Sequence, residues 1–396
     1  MRIILVNKYA YVTGGADKHC LDLCGLLMSA GHEVRLLSTA DSANEHLPGA
    51  YVGRTVSHAN RSRLRPRARV VVAQRSIWNP AAAQAMKQLL LEFRPDVVHS
   101  HKLYPQLSVA PLWVASKFGV PIVQTLHDYE FMSASSLDSA GRWLDRSEGP
   151  WDFRLLNTST APIRRILHRR LVTSWISVSQ YLADVYDRVG IAANVIPNFS
   201  DPQPQPPPFD DRRGVVFLGR LSPEKGVDHV VGVARCSPHL SVSLAGDGEM
   251  LPHLLQVGST LPNVTVLGRV APSQALQLLR RSRVVVMPSL WDEPAGLVAL
   301  EAMATGTPVV AYARGGLAEY VAAAGAGSVV SSFAELNSEI SRLHSDRASW
   351  NVASSAGILA ISSRHSPNEY LRHITAVYRQ AVERDAGANM APIRRR

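Results

Sequence analysis

Nothing in this chain of 396 residues offers a membrane span. No window approaches about 18 consecutive apolar residues, and the N-terminal run Ile3 to Val6 is too short for a signal-peptide core. The expected location is the cytoplasm. Cysteine is scarce: Cys20, Cys24 and Cys236 are odd in number and lack zinc-site spacing, which argues for reduced thiols over disulfides or a metal site. Cys20 and Cys24, one helical turn apart, read as core. Aromatic residues make up 7% and are not interleaved as a run with the arginine clusters, so nucleic acid is not an expected partner. Charged residues at 19% against 46% hydrophobic exclude a disordered chain and leave an ordinary folded protein.

What is present is basic and unevenly placed. The formal charge is +10; residues 1–199 carry 23 Lys and Arg against 15 Asp and Glu, and the remainder carry 19 against 17. Two clusters stand out: Arg61, Arg63, Arg65, Arg67 and Arg69, then Arg164, Arg165, Arg169 and Arg170 interleaved with Ile163, Ile166, Leu167 and Leu171. The second reads as a basic amphipathic helix. That leaves three readings open: a contact with anionic lipid, an acidic acceptor, or a solvated basic face.

The length suits two domains. In both halves short β-branched runs alternate with helical stretches, the pattern of a parallel sheet with crossover helices. Strands are predicted at Ile3–Val6, Glu33–Leu37, Val70–Ala73, Asp96–Ser100, Ile122–Leu126, Trp175–Val178 and Asn194–Ile196. Asp17–Ser29 is the clearest helix. Ser200–Phe209 places five prolines in ten residues, which excludes helix and central strand and reads as a hinge. The pattern then restarts at Val215–Leu218, Ser241–Ala245, Val264–Leu267, Val284–Met287, Pro308–Ala311 and Ser328–Val330. The expected organisation is an α/β chain of two Rossmann-like doubly wound domains, 1–199 and 214–365, facing an interdomain cleft, with a hinge over 200–213. A helix over 366–385 is expected to cross the hinge, and 386–396 forms a basic tail. In such sheets ligands bind outside the carboxyl ends of the strands, so motifs are sought there.

After the strand ending at Leu218 the chain reads Gly219-Arg-Leu-Ser-Pro-Glu-Lys-Gly226. A glycine turn with Arg220 and Lys225 ahead of a helix suits a diphosphate, whose charges meet cations and whose oxygens meet helix-start amides. A solvent-facing loop would hold the same cations. After the strand ending at Met287 a polar loop carries Asp292 and Glu293, a helix begins near Gly296, and Glu301 sits about one and a half turns inside. Carboxylates so placed can each accept two hydroxyl hydrogen bonds, as sugar or ribose recognition requires; helix-start charge and a solvated face are the bland alternatives. His99, His101 and His127-Asp128 end two strands of the first half, and paired strand-end histidines carry more weight than a lone one.

Glu293 and Glu301 with seven residues between them, inside the run Pro288 to Pro308, resemble the paired-glutamate signature of family-four retaining glycosyltransferases. Gly219-Arg220-Leu221 with Glu224-Lys225-Gly226, the turn Ala245-Gly246-Asp247-Gly248, and Gly315-Gly316 with Glu319 follow that family's order. The resemblance spans nearly the whole chain and is densest over 214–321. It implies a GT-B fold and a hexosyltransferase moving a sugar from a nucleotide diphosphate, uridine favoured, to a hydroxyl of a glycan, lipid-linked or small-molecule acceptor, as in cell-envelope polysaccharide assembly. By that likeness Arg220 and Lys225 hold the diphosphate, Glu301 the ribose, and Glu293 the donor sugar with the amides of Ala295, Gly296 and Leu297. Gly248 and Glu249 fall near the base and phosphates, and Gly14-Gly15 lets backbone approach the phosphates. His127 stands beside the reacting sugar, Asp128 orients it or meets acceptor, and His99 and His101 lie on the acceptor side. The family's cysteine-bearing segment has no cysteine here, where the chain reads Tyr129-Glu-Phe-Met-Ser-Ala134.

Retention with no carboxylate expected on the far face of the sugar favours front-face substitution over double displacement. No Asp-x-Asp sequence occurs, and no metal or cofactor is expected, since cations and helix amides would stabilise the departing diphosphate. The basic first half tilts the acceptor toward something acidic or membrane-borne and leaves a peripheral contact with the inner membrane face open. A nucleotide-sugar epimerase of the same shape and a catalytically silent partner subunit are the competing readings.

Overall fold

The computed structural model describes residues 1–54, 74–132 and 151–390. By its contacts the chain forms two compact units. The first contains Met1–Val178, Leu182–Ile196 and Leu371–Arg396; the second contains Ser179–Tyr181 and Pro197–Tyr370. Both are parallel-sheet α/β units.

The first unit is built on seven parallel strands: β1 (Arg2–Val6), β2 (Glu33–Ala40), β3 (Gly49–Arg54), β4 (Val97–Ser100), β5 (Ile122–Leu126), β6 (Ser174–Ser177) and β7 (Asn194–Val195), in the order β3-β2-β1-β4-β5-β6-β7. Ile3 to Val6 are wholly buried, as expected of a parallel strand covered on both faces. The edge strand β3 escaped the sequence reading because Gly-Ala-Tyr-Val-Gly-Arg shows neither alternation nor a β-branched run. Val70–Ala73 and the arginines from Arg61 to Arg69 lie outside the described residues. Helix Gly15–Ser29 buries Cys20 and Cys24 as free thiols, and burial holds the Cys20 thiol well above its ordinary pKa. The topology reverses between β1 and β4, so the carboxyl ends of β1, β4 and β5 lie side by side.

The second unit has six parallel strands: β8 (Val215–Leu218), β9 (Val242–Ala245), β10 (Val264–Gly268), β11 (Val284–Met287), β12 (Val309–Tyr312) and β13 (Gly327–Val330), in the order β10-β9-β8-β11-β12-β13. Its switch point lies between β8 and β11. Apolar layers cover both faces, one around Val230, Leu244 and Ile340, the other around Val285, Leu300 and Val321.

The proline-rich stretch belongs to the second unit. Arg280 donates to the carbonyls of Pro204 and Gln205. Arg212, with no exposed surface, donates to Pro207 O (2.8 Å), Thr305 O (2.5 Å) and Thr307 Oγ1 (2.6 Å). The last helix, Pro367–Met390, runs beyond the span read from sequence into what was expected to be tail; its residues through Tyr370 group with the second unit and those from Leu371 with the first.

Candidate active site

In the second unit, loops after three adjacent strands converge. The loop after β8 carries Arg220 and Lys225, the loop after β11 carries Trp291 to Gly296, and the loop after β12 carries Arg314 to Gly316. Backbone bonds register the first two: Leu290 N donates to Glu224 O at 2.8 Å. Gly226, at φ +69°, packs so closely on Pro288 O that any Cβ would sit 1.9 Å from it. The Lys225 ammonium lies 3.0 Å from Glu293 Oε1 and 5.5 Å from the centre of the Trp291 ring.

Glu293 is buried, and its backbone is gripped from the third loop. Gly316 N donates to Glu293 O at 2.6 Å, and Arg314 Nη1 donates to Leu290 O at 3.0 Å. Gly315, at φ +61°, leaves a hypothetical Cβ only 2.4 Å from Glu293 O, so a side chain there would displace the loop. Ser179 Oγ donates to Pro294 O at 2.5 Å, and Glu319 accepts from the backbone N–H groups of Gln180 (3.0 Å) and Tyr181 (2.9 Å). The glutamate's position is thus fixed by main chain.

Helix Leu297–Ala304 begins at Gly296, which supplies no side-chain cap, so its first-turn amides are offered at the glutamate loop. Glu301 is half-buried on that helix. Arg220 is exposed beside Leu221, whose N–H donates to Asp247 O. Gly248, at φ +159°, packs against the Leu221 backbone, and Glu249 is exposed. The arrangement places a paired acid and base, an indole face and helix-start dipoles together, which suits an anionic, hydroxyl-rich ligand.

In the first unit, four histidines form a buried stack at the ends of β4 and β5. His101 Nδ1 and His127 Nε2 are 2.9 Å apart with rings stacked at 5.2 Å, and His19 meets the His127 ring edge-on at 5.4 Å. His99 joins Tyr378 Oη through Nδ1 and Thr125 Oγ1 through Nε2, both at 2.7 Å. With no exposed surface and both nitrogens engaged, His99 offers nothing to an acceptor. His101 is buried as well. His101 is within hydrogen-bond reach of His127, which is half-buried. Burial, reinforced by neighbouring rings and Lys102, holds His127 well below the ordinary histidine value, hence neutral.

Asp128 pairs with the ammonium of Lys102. Burial works to raise the Asp128 pKa, but the Lys102 charge and hydrogen bond outweigh it and bring it down. Burial, then repulsion by Asp128, pushes Glu130 up to about 7. Burial, then Lys102, lowers Lys8 to about 8. Asp17 accepts from Asn7 Nδ2 (3.0 Å) and Thr13 Oγ1 (2.5 Å). The sequence reading missed Lys8, His19, Lys102 and Glu130. Lys8 and Lys102 could have been found as the residues just beyond β1 and β4, the strands that flank the switch point. Gly14, by contrast, is extended at φ −174° with nothing within 4 Å of a Cβ, so fold geometry does not demand glycine there.

Comparison with known proteins bears on both units. Residues 13–204 match the model of Glycosyltransferase Family 4, and residues 200–359 match that of Glycosyl transferases group 1. The chain is 28% identical over 362 residues to glycogen synthase of Mycobacterium tuberculosis, covering 81% of this chain and 80% of that protein. It is 28% identical over 327 residues to phosphatidyl-myo-inositol mannosyltransferase of Mycobacterium leprae, covering 78% of each. Among solved structures, sucrose-phosphate synthase of Thermosynechococcus elongatus superposes with a TM-score of 0.74 at 18% identity, covering 96% of this chain and 98% of the other. Anabaena HepE in complex with UDP-glucose superposes with a TM-score of 0.71 at 21% identity, covering 96% and 100%.

Proposed function

The chain belongs to the family-four glycosyltransferases, the two halves of which those models describe, and on that premise we propose that it transfers a hexose with retention of configuration from a nucleotide diphosphate, UDP favoured, to an acceptor hydroxyl. The observation that carries the reading is the buried Glu293, paired with Lys225 at 3.0 Å and set by main chain at the start of helix Leu297–Ala304. Lys225 and Arg220 receive the diphosphate. Glu293 then accepts from donor-sugar hydroxyls, the amides of Ala295, Gly296 and Leu297 take sugar or phosphate oxygens, and Glu301 accepts from the ribose. Gly248 lines the base and phosphate side, and Gly14 and Gly15 are assigned to the phosphates by the same family likeness.

The chemistry follows from charge. As the bond from the anomeric carbon to the phosphate oxygen breaks, negative charge grows on the diphosphate, where Arg220, Lys225 and helix amides stabilise it without a metal ion or other cofactor. The acceptor oxygen attacks from the same face, and its proton passes to the departing phosphate. Neutral His127, oriented by His101, hydrogen-bonds the reacting sugar, and Asp128 serves the acceptor. The acceptor is a glycan, a lipid-linked sugar or a small molecule, handled in the cytoplasm or at the inner membrane face. That HepE was solved with UDP-glucose supports the uridine preference.

Thermal unfolding with UDP, GDP and ADP in turn, metal-free, tests the reading. Saturation at 100 times the dissociation constant adds about 2.7 kcal/mol. UDP is expected to raise the melting temperature of the wild type and to raise that of Glu301→Ala less. No shift with any nucleotide would sink the donor assignment, and turnover of UDP-glucose to another sugar nucleotide without acceptor would move it to epimerase chemistry.

A further inference from the structure

We propose that the outer face of three successive helices of the first unit is a docking surface for an anionic lipid bilayer. This names the surface and the lipid class for the peripheral contact included above, and it requires no donor or acceptor to test.

The chain passes from β3 to β4, β4 to β5 and β5 to β6 in one direction along the sheet, so right-handed crossovers set the intervening helices on one face. These helices are Pro80–Phe93, Ala110–Lys117 and Trp151–Leu171, and the middle one packs against both others. The third is turned inside out. Arg164 and His168 point inward, with the Arg164 guanidinium 4.5 Å from the Tyr104 ring centre and His168 Nε2 3.1 Å from Tyr104 Oη. Its aliphatic members point outward: Ile163 is 59% and Ile166 51% exposed, with Leu167 beside them. On the neighbouring helix Trp113 is 43% exposed and meets the 41% exposed Trp78 edge-on at 5.6 Å. Lys117 lies 5.4 Å from the Trp113 ring.

Charge selects the occupant. The described side chains of the three helices include Lys87, Lys117, Arg164, Arg165, Arg169 and Arg170 against one acidic residue, Glu92. Exposed Arg169 and Arg170 and half-buried Arg165 border the aliphatic row. Aliphatic side chains that reach below the headgroups, indoles at headgroup level and a cationic border match an anionic interface. A second copy of this chain would bring like charge against like.

The test is sedimentation of the full chain with vesicles of phosphatidylcholine, with and without phosphatidylglycerol. Binding is expected only to the phosphatidylglycerol vesicles, with salt weakening it. The combined variant Arg165→Glu, Arg169→Glu, Arg170→Glu is expected to bind about 100-fold more weakly, at roughly fivefold per cation. The variant Ile163→Ser, Ile166→Ser, Leu167→Ser is expected to lose retention while keeping the wild-type melting temperature. If either variant fails to fold, fluorescence quenching by brominated phosphatidylglycerol in the wild type, absent in Trp78→Phe, Trp113→Phe, reads the same contact. No sedimentation, equal binding to phosphatidylcholine alone, or undiminished binding by the variants would overturn the proposal, as would a dimer that dissociates in the aliphatic variant.

Discussion

Acid should dismantle the first unit before it touches the chemistry. His19, His99 and His168 are held down to about 3, each chiefly by burial, with Lys18, His19 and Arg164 respectively adding to it. The unfolded chain takes up protons on these rings below about pH 6.5, while the folded chain refuses them until about pH 3, so stability falls as pH falls through that window. Between pH 7 and pH 5 each ring removes about 2 kcal/mol, about 6 kcal/mol for the three. Glu130 works the other way: raised to about 7, it opposes folding at neutral pH and returns about 2 kcal/mol on the same acidification. The net loss is about 4 kcal/mol, and His101 and His127, both also lowered, add to it. For a unit of this size that corresponds to about 8–16 °C in melting temperature. Calorimetry at pH 7 and pH 5 in matched ionic strength measures it. A drop below about 3 °C, or the ring protons of His19, His99 and His168 titrating near pH 6.5 by NMR, would refute the argument.

Other outcomes follow from the second unit. Glu293→Gln should lower kcat/KM by about 10- to 150-fold, the worth of one charged hydrogen bond to a sugar hydroxyl, measured with UDP-glucose as donor; unchanged kinetics would remove Glu293 from the donor site. Gly315→Ala should cost at least about 3 kcal/mol, because its Cβ would lie 2.4 Å from Glu293 O in a left-handed conformation, whereas Gly14→Ala should stay within about 0.5 kcal/mol. Denaturant unfolding compares the two, and equal losses would refute the steric reasoning. Arg212→Met should destabilise by about 3–5 kcal/mol, since it strips partners from Thr305 O, Thr307 Oγ1 and Pro207 O inside the core. A change under 1 kcal/mol by the same measurement, on the order of a surface substitution, would count against it.

The strands that carry the site were legible because parallel strands buried on both faces are written as uninterrupted apolar runs. Val284–Met287 and Ile122–Leu126 were placed to the residue on that ground. β3 was not, because an edge strand between glycines carries no such run. In the second unit the candidate residues lie on loops whose glycines and charges are contiguous in sequence, so Lys225 and Glu293 were each singled out, but their pairing at 3.0 Å was not read. The histidine stack was half legible. His99, His101 and His127 announce themselves at strand ends, but His19 comes from a helix and Tyr378 from the far end of the chain, and no local pattern marks either as a neighbour.

That last contact has a consequence for biogenesis. The first unit is discontinuous, and its segment from Leu371 on is made only after the second unit. At synthesis rates of roughly 5–20 residues per second, the roughly 170 residues in between delay that segment by about 10–35 s after Ile196 has been added. Throughout that interval His99 lacks Tyr378, and the apolar seat of Ile374, Val377 and Ala381 stands open on the nascent chain. A premature stop after the second unit would therefore leave a protein with every proposed donor-binding residue and an uncovered first unit.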